Sequence, residues 1–150
     1  MELTIGNTPD IISKAHSIRH QVFVVEQDIP QELDHDGLDN ISSHALVTDD
    51  DSLVATARLT VNDIGHAVLA RVAVIEQYRG SGVASKVVSA LLSYAGQCGC
   101  VSIEMHAHEY LRRYYEKFGF TYVRNVEMVG EHQLIEMKVQ LTPFDLERDG

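Results

Sequence analysis

Three sets of residues in this 150-residue chain have the types and spacing to do chemistry. The first is a turn with two glycines, Gln77-Tyr78-Arg79-Gly80-Ser81-Gly82-Val83-Ala84, between an apolar run and a helical pattern. The first turn of any helix has amide donors with no intrahelical acceptor, and the helix dipole makes that end positive. Gly80 and Gly82 carry no side chain, so an anion can come close, and the simplest chemistry is a phosphate cradle. The second set, Cys98, Cys100, His106 and His108, has the donor types of a zinc site. It fails on geometry. Residues 101–106 read as a strand roughly 20 Å long, which puts the two pairs at opposite ends, beyond the ~2 Å bonds of one tetrahedral ion. No metal is expected. Cys98 and Cys100, one residue apart on a strand, would point to opposite faces. They are too few for a disulfide scaffold and read as reduced thiols. The third set is six acidic residues, Glu26, Asp28, Glu32, Asp34, Asp36 and Asp39, in a stretch without Lys or Arg. It reads either as a solvated connection or as a negative rim that attracts an amine.

These sets need elements to position them. A short alternating stretch at 2–5 is an edge strand. Thr8 caps a helix with Pro9 at its first position, and Ile11, Ala15, Ile18 and Val22 repeat at helical spacing. Val22-Phe23-Val24-Val25 is apolar all round, so this helix is expected to end in a buried place and deliver Glu26 and Gln27 just beyond it. After a loop at 28–40, strands at 44–48, 53–61 and 66–74 form an antiparallel meander, joined at Asp49-Asp50-Asp51-Ser52 and Asn62-Asp63-Ile64-Gly65. The 66–74 strand is apolar on both faces and should be central. Its one charge, Arg71, needs a carboxylate partner, for which Glu26 and Glu104 are candidates. The helix after Gly82 has one apolar stripe, Val83/Ala84, Val87/Val88, Leu91/Leu92 and Ala95, and Gly96 and Gly99 stop it. The strand at 101–106 then completes a parallel crossover. A helix at 107–118 follows, with Leu111, Tyr114, Tyr115 and Phe118 inward. A hairpin of 120–129 and 133–141 across Gly130 and a loose tail from Thr142 end the chain. The order β α β β β α β α β β predicts a single α/β or α+β domain over 1–150 with a mixed sheet.

Hydrophobic residues are 45% of the chain, enough for a real core. No apolar run approaches the ~20 residues of a membrane span, and residues 1–9 lack the basic-then-apolar pattern of a signal peptide. A cytoplasmic protein away from membranes is expected. The 22 acidic and 12 basic residues give a net charge of −10. That argues against nucleic acid as the main partner, because phosphate-backbone binding needs a basic face. It is compatible with a cationic substrate and equally with simple solubility.

The phosphate at the turn can be narrowed. A Walker loop has Lys and Ser/Thr directly after its last glycine, whereas Val83 and Ala84 follow Gly82. A dinucleotide fingerprint needs a third glycine, but position 85 is Ser and several antiparallel strands precede the turn. The larger pattern, Gln77-x-x-Gly80-x-Gly82-Val83-Ala84, resembles the acyl-CoA pyrophosphate motif of the GNAT N-acyltransferase superfamily. One helix and one strand later, Tyr114-Tyr115-Glu116-Lys117-Phe118-Gly119-Phe120 resembles that superfamily's aromatic-Tyr-Glu-Lys-x-Gly-Phe motif. The segment Ile18-Arg19-His20-Gln21-Val22-Phe23-Val24-Val25-Glu26-Gln27 is similar to the opening of the ElaA-like branch. So are Thr56-Ala57-Arg58-Leu59, Arg71-Val72-Ala73-Val74 and Gly130…Met137. Two departures stand out. Ala107-His108 replaces the branch's usual Ala-Gln, and Tyr110 replaces a frequent small residue or His. Both face the expected acceptor region.

The resemblance implies a GNAT-like fold: a mixed, mostly antiparallel central sheet with a splayed parallel pair and helices on both faces. It implies acetyl-CoA as cosubstrate. The pyrophosphate would lie on the turn from Gln77 and Tyr78 through Arg79, Gly80, Ser81, Gly82, Val83 and Ala84, and the pantetheine arm along the backbone of Val72, Ala73 and Val74. The acceptor, a small-molecule or protein/peptide amine, would attack the thioester directly. An alkyl amine with a pKa near 10.4 must first lose a proton, and the leaving thiolate must gain one. Tyr115 matches the motif's proton donor, while Tyr114 stays in the core. For the base, His106 ranks first and Glu26 second, with His66, His108 and His132 behind and a water chain as a substitute. Arg79 and Lys86 are candidates to steer CoA phosphates. The alternative is a non-catalytic acyl-CoA-binding regulatory module on the same fold. Relatives are often dimers, so a homodimer is an open expectation that no residue here fixes.

Overall fold

The structure, a computed structural model, describes residues 1–62 and 64–141. Asp63 of the predicted 62–65 turn and the tail from Thr142, expected to be loose, lie outside the described residues. The strands are β1 Glu2–Gly6, β2 Ser43–Asp49, β3 Ser52–Val61, β4 His66–Val74, β5 Ser102–His108, β6 Thr121–Val129 and β7 His132–Gln140. The α-helices are α1 Pro9–Arg19, α2 Gln31–Asp34, α3 Val83–Gln97 and α4 Arg112–Glu116. Among the described residues, seven strands form one sheet in the order β1-β2-β3-β4-β5-β7-β6. This is the mixed α+β architecture that the patterns predict. β4, apolar on both faces, takes the middle position. β4 and β5 pair in parallel, and the pairs β1–β2, β2–β3, β5–β7 and β6–β7 are antiparallel. The parallel register runs from His66↔Ser102 to Leu69↔Met105 and ends there, although β4 continues to Val74 and β5 to His108.

The described residues divide into two compact units, one of 1–60 with 71–91 and the other of those within 61–70 and 92–141. In the first unit, Thr8 caps α1 by accepting from the Ile11 amide at 3.3 Å, with Pro9 at the first helical position. The core there joins Ile18, Val22, Leu46 and Ala73, with Ile11, Phe23, Leu53 and Ile75 packed against them. The helix does not end as expected. Its continuation, His20–Glu26, is π-helical, and Val25 is 58% exposed. The wider i→i+5 turn rotates the end of the apolar run off the buried stripe. Only Val22 of the four is buried. The following loop holds two short turns, α2 and a 3-10 turn at Asp39–Ile41.

In the second unit, β5 exchanges seven residue pairs with β7, from Ser102↔Gln140 to His108↔Leu134. Leu69, Ile103, Met105, Phe120, Ile135 and Met137 are buried there. Two expectations are corrected. Cys98 and Cys100 lie after α3 and not on a strand; Cys98 is exposed and Cys100 buried, both as free thiols. The helix expected from 107 starts later. Ala107 and His108 belong to β5, Glu109–Leu111 is a 3-10 turn, and α4 is only five residues. The cause is tertiary. Ile103, Met105 and Ala107 continue a buried period of two, and β7 supplies partners Ile135 and Leu134 for the last two residues.

Candidate functional site

In the first unit, β4 ends at Val74 and a 3-10 turn, Glu76–Tyr78, leads into the glycine pair. Gly80 has φ 80° and Gly82 φ 83°, a region that residues with a Cβ enter only at a cost. A Cβ added at either position would meet nothing within 4 Å. Conformation, not crowding, therefore asks for glycine, and the space beside both is open. α3 starts at Val83, and the Lys86 amide donates to the Gly82 carbonyl at 3.2 Å. A helix start of this kind presents its first amides outward, away from the intrahelical ladder. The Ser81 hydroxyl donates to the Tyr78 carbonyl, and the Tyr78 hydroxyl to Asp49 at 3.4 Å. Gln77 is exposed.

Arg79 is engaged on both sides. Its Nε donates to the Val74 carbonyl at 3.0 Å and its Nη2 to Glu26 Oε2 at 2.7 Å. Glu26, the second candidate base, is thus ion-paired and tied through Arg79 to the end of β4. The Val74 carbonyl keeps a second lone pair for another donor. Of the strand expected to meet the cofactor arm, Ala73 is buried, while Val72 and Val74 are half-buried.

Three acids of the stretch, Asp34, Asp36 and Asp39, do not form an open rim, whereas Asp28 and Glu32 are exposed. Arg19, 1% exposed, donates through Nε to both oxygens of Asp34 at 3.0 and 3.1 Å, and through Nη1 to Asp39 at 2.8 Å. Arg58 donates to Asp36 at 2.9 and 2.7 Å and to Asp39 at 3.1 Å. Arg71 closes on Asp34 at 3.1 Å and Asp36 at 3.2 Å. The partner of Arg71 is therefore this pair of aspartates, neither Glu26 nor Glu104. His16 Nε2 lies 2.7 Å from Asp39 Oδ2. The Arg58 hydrogen bond, against opposing burial, holds the Asp36 carboxyl at about 2. Burial pushes Asp39 upward, but hydrogen bonds from Arg19 and His16 outweigh it and hold it well below the usual carboxylate range. His44, fully buried with Nε2 2.9 Å from the Asp39 carbonyl oxygen, is pulled below its ordinary value by burial. The chain offered only a partial signal for this network: Arg19, Arg58 and Arg71 stand in otherwise apolar or helical elements that call for carboxylate partners, with nothing local to say which ones.

In the second unit, Tyr115 on α4 is buried, in edge contact with Tyr114 at 5.1 Å and Phe120 at 6.2 Å between ring centroids. Burial, with a smaller push from Tyr114, raises its phenol to about 12. It is a neutral O–H at physiological pH. His106 does not end its strand. It sits within β5 opposite Glu136, its side chain 52% exposed and its Nε2 3.5 Å from the Glu136 carboxylate. His66 is occupied by a hydrogen bond between its Nδ1 and the Ser102 hydroxyl. His108 stacks on Tyr110 at 5.1 Å and meets His132 edge-on at 5.3 Å. Burial, then the nearby His132, pulls the His108 imidazole below its ordinary value. Tyr110 is 71% exposed, so this ring cluster reaches solvent.

A mixed seven-stranded sheet, with a glycine turn feeding a helix from its central strand, is the arrangement that the motif resemblance implies among the described residues. Comparison with known proteins settles the family. Residues 12–120 match the Acetyltransferase (GNAT) family. Protein ElaA of Escherichia coli is 34% identical over 113 residues, 73% of this chain and 74% of that one. Its crystal structure covers 93% of this chain and 99% of its own, with a TM-score of 0.84. An acyl-CoA N-acyltransferase from Pseudomonas aeruginosa gives a TM-score of 0.83 at 28% identity, over 92% of this chain and 98% of that one. The N-acetyltransferase YjcF of Bacillus subtilis, itself uncharacterised, is 29% identical over 86% of this chain and 91% of its own. The chain belongs to the GNAT acetyltransferase family, in its ElaA-like branch.

Proposed function

We propose that this protein is a cytoplasmic N-acetyltransferase, one domain over its 150 residues, that moves the acetyl group of acetyl-CoA to a primary amine by direct attack. The observation that carries the reading is the 79–84 turn. Two left-handed glycines with open space beside them lead into the positive end of a 15-residue helix, which suits the pyrophosphate. The backbone of Val72, Ala73 and Val74 would take the pantetheine arm and so satisfy strand amides and carbonyls.

The amine nitrogen bonds to the thioester carbonyl carbon, the C–S bond breaks, and the nitrogen gives up a proton. Tyr115, a phenol that keeps its O–H at physiological pH and matches the motif tyrosine, is assigned as the donor to the leaving thiolate. Among bases, His106 keeps first place because an exposed imidazole beside a carboxylate suits proton exchange with water. Glu26 falls back because Arg79 holds it. The His108 and Tyr110 rings, where the chain departs from its branch, and His132 packed against them are assigned to the acceptor side. Ring faces there favour an ammonium-bearing acceptor.

Thiol release from acetyl-CoA with a panel of amines, in wild type and Tyr115→Phe, tests the reading. Turnover with at least one amine, lost in Tyr115→Phe, supports it. Acetyl-CoA binding with no turnover on any amine would favour the regulatory module instead.

A further inference from the structure

Three residues other than glycine have left-handed backbones among the described residues: Asp28, Asp50 and Arg71, at φ 57°, 52° and 58°. Asp tolerates this conformation through local hydrogen bonds of its short side chain. Arg has no such compensation, and Arg71 lies inside a strand. Something outside the strand must hold it. The guanidinium shows what does. Its Nε is 3.1 Å from Asp34 Oδ1, and its Nη2 is 3.2 Å from Asp36 Oδ2. The same Nη2 lies 3.3 Å from the Leu33 carbonyl and 3.5 Å from that of Asp34. Those carbonyls end the short helix α2, and a cation suits a helix C-terminus. Asp34 is itself fixed by the buried Arg19.

The strained residue sits at a particular point. The β4–β5 register ends at Leu69↔Met105, two residues earlier. Beyond it, Ala73 packs into the core with Ile18, Val22 and Leu46, and the Ile75 amide donates to the Val54 carbonyl at 2.9 Å. Residues 72–74 are thus pinned behind by Arg71 and ahead by Ile75. We propose that Arg71 is a positioning residue for the acyl-CoA arm, through which the acidic loop sets the direction of Val72, Ala73 and Val74. The link to the cofactor rests on the function proposed above. The backbone part does not. The aspartates of the loop act on the reaction through the strand, not by attracting the amine.

Two readouts on Arg71→Ala, Arg71→Gly and Arg71→Lys separate these parts: amide exchange at Ile75 without ligand, and acetyl-CoA affinity by titration calorimetry together with KM and kcat. Arg71→Ala keeps the strain and loses the clamp. It should speed Ile75 exchange and weaken acetyl-CoA, each about tenfold, with KM rising and kcat little changed. Arg71→Gly accepts the positive φ freely but also lacks the clamp, so it should regain melting temperature while Ile75 exchange and acetyl-CoA affinity stay close to those of Arg71→Ala. Arg71→Lys keeps a charge without the planar fork and should fall between Arg71→Ala and wild type. If Arg71→Ala does not fold, the glycine and lysine variants decide. Lower melting temperatures with unchanged Ile75 exchange and unchanged affinity would overturn the proposal. So would an Arg71→Gly with wild-type Ile75 protection and affinity, because the strand would then hold its direction without the loop. An expected Ile75 response in a protein that binds no acetyl-CoA would overturn the functional reading and leave the clamp standing.

Discussion

The 79–84 turn and the 26–39 segment lie in the same compact unit and treat polar groups in opposite ways. In the turn, the relevant groups are backbone amides at a helix start, beside glycines with open space around them. In the acidic segment, the carboxylates of Asp34, Asp36 and Asp39 are closed onto Arg19, Arg58 and Arg71. Net charge alone would have picked the second as the place for a ligand. The difference teaches that a site is marked by polar groups still available, and that charge already matched within the fold is scaffold.

The comparison breaks most readily at Arg19. Removing it leaves Asp34 buried without its main partner, and breaking a buried pair costs about 3–5 kcal/mol. Arg19→Met should lower the unfolding free energy by that amount in a urea titration. A loss below about 1 kcal/mol would put the acids back on the surface as a free rim. Next in size is the chemical step. Tyr115→Phe should lower kcat by about 10²-fold or more while the KM for acetyl-CoA stays close to wild type. A selective rise in KM would instead make Tyr115 part of the binding surface.

Acid should act on the scaffold and spare the turn. His44 has a folded pKa below its ordinary 6.5. Its neutral form is favoured by folding, so stability falls as pH drops through 6.5. Asp36 has a folded pKa of about 2 against an ordinary 3.8. Its contribution is full above 3.8 and is lost as pH falls from there to about 2. Melting temperature against pH should therefore decline in two stages, and Asp36→Asn should flatten the lower one. The smallest effect is expected at His106. Its exposure lets water share the proton, so His106→Gln should cost no more than about tenfold in kcat. A larger loss, with the histidine limb of the pH–rate profile gone, would make it an obligatory base.

The turn could be read from the chain because everything it needs is local: two glycines, a strand before and a helix stripe after. The acidic network could not, because its partners are 15 to 37 residues apart and only folding brings Arg58 and Arg71 to the loop. The same limit explains the end of β5. Residues 107 and 108 look helical beside Tyr110 and Leu111, yet β7 pairs with them. The π-helix at His20–Glu26 left no mark in a pattern that suits an α-helix equally well. The seven strands, by contrast, follow alternations and turn residues that are local again, and their bounds differ from the expected ones by at most two residues at either end.

The assignment of the turn is tested most directly by thermal unfolding with and without acetyl-CoA. At a concentration about 100 times its dissociation constant, acetyl-CoA should raise the wild-type melting temperature by about 5–10 °C. Gly82→Ala carries the backbone strain without the charge. It should melt lower yet keep part of the rise. Gly82→Asp adds a negative side chain in the cradle and should show none. A full rise in Gly82→Asp would place the cofactor elsewhere and contradict the assignment.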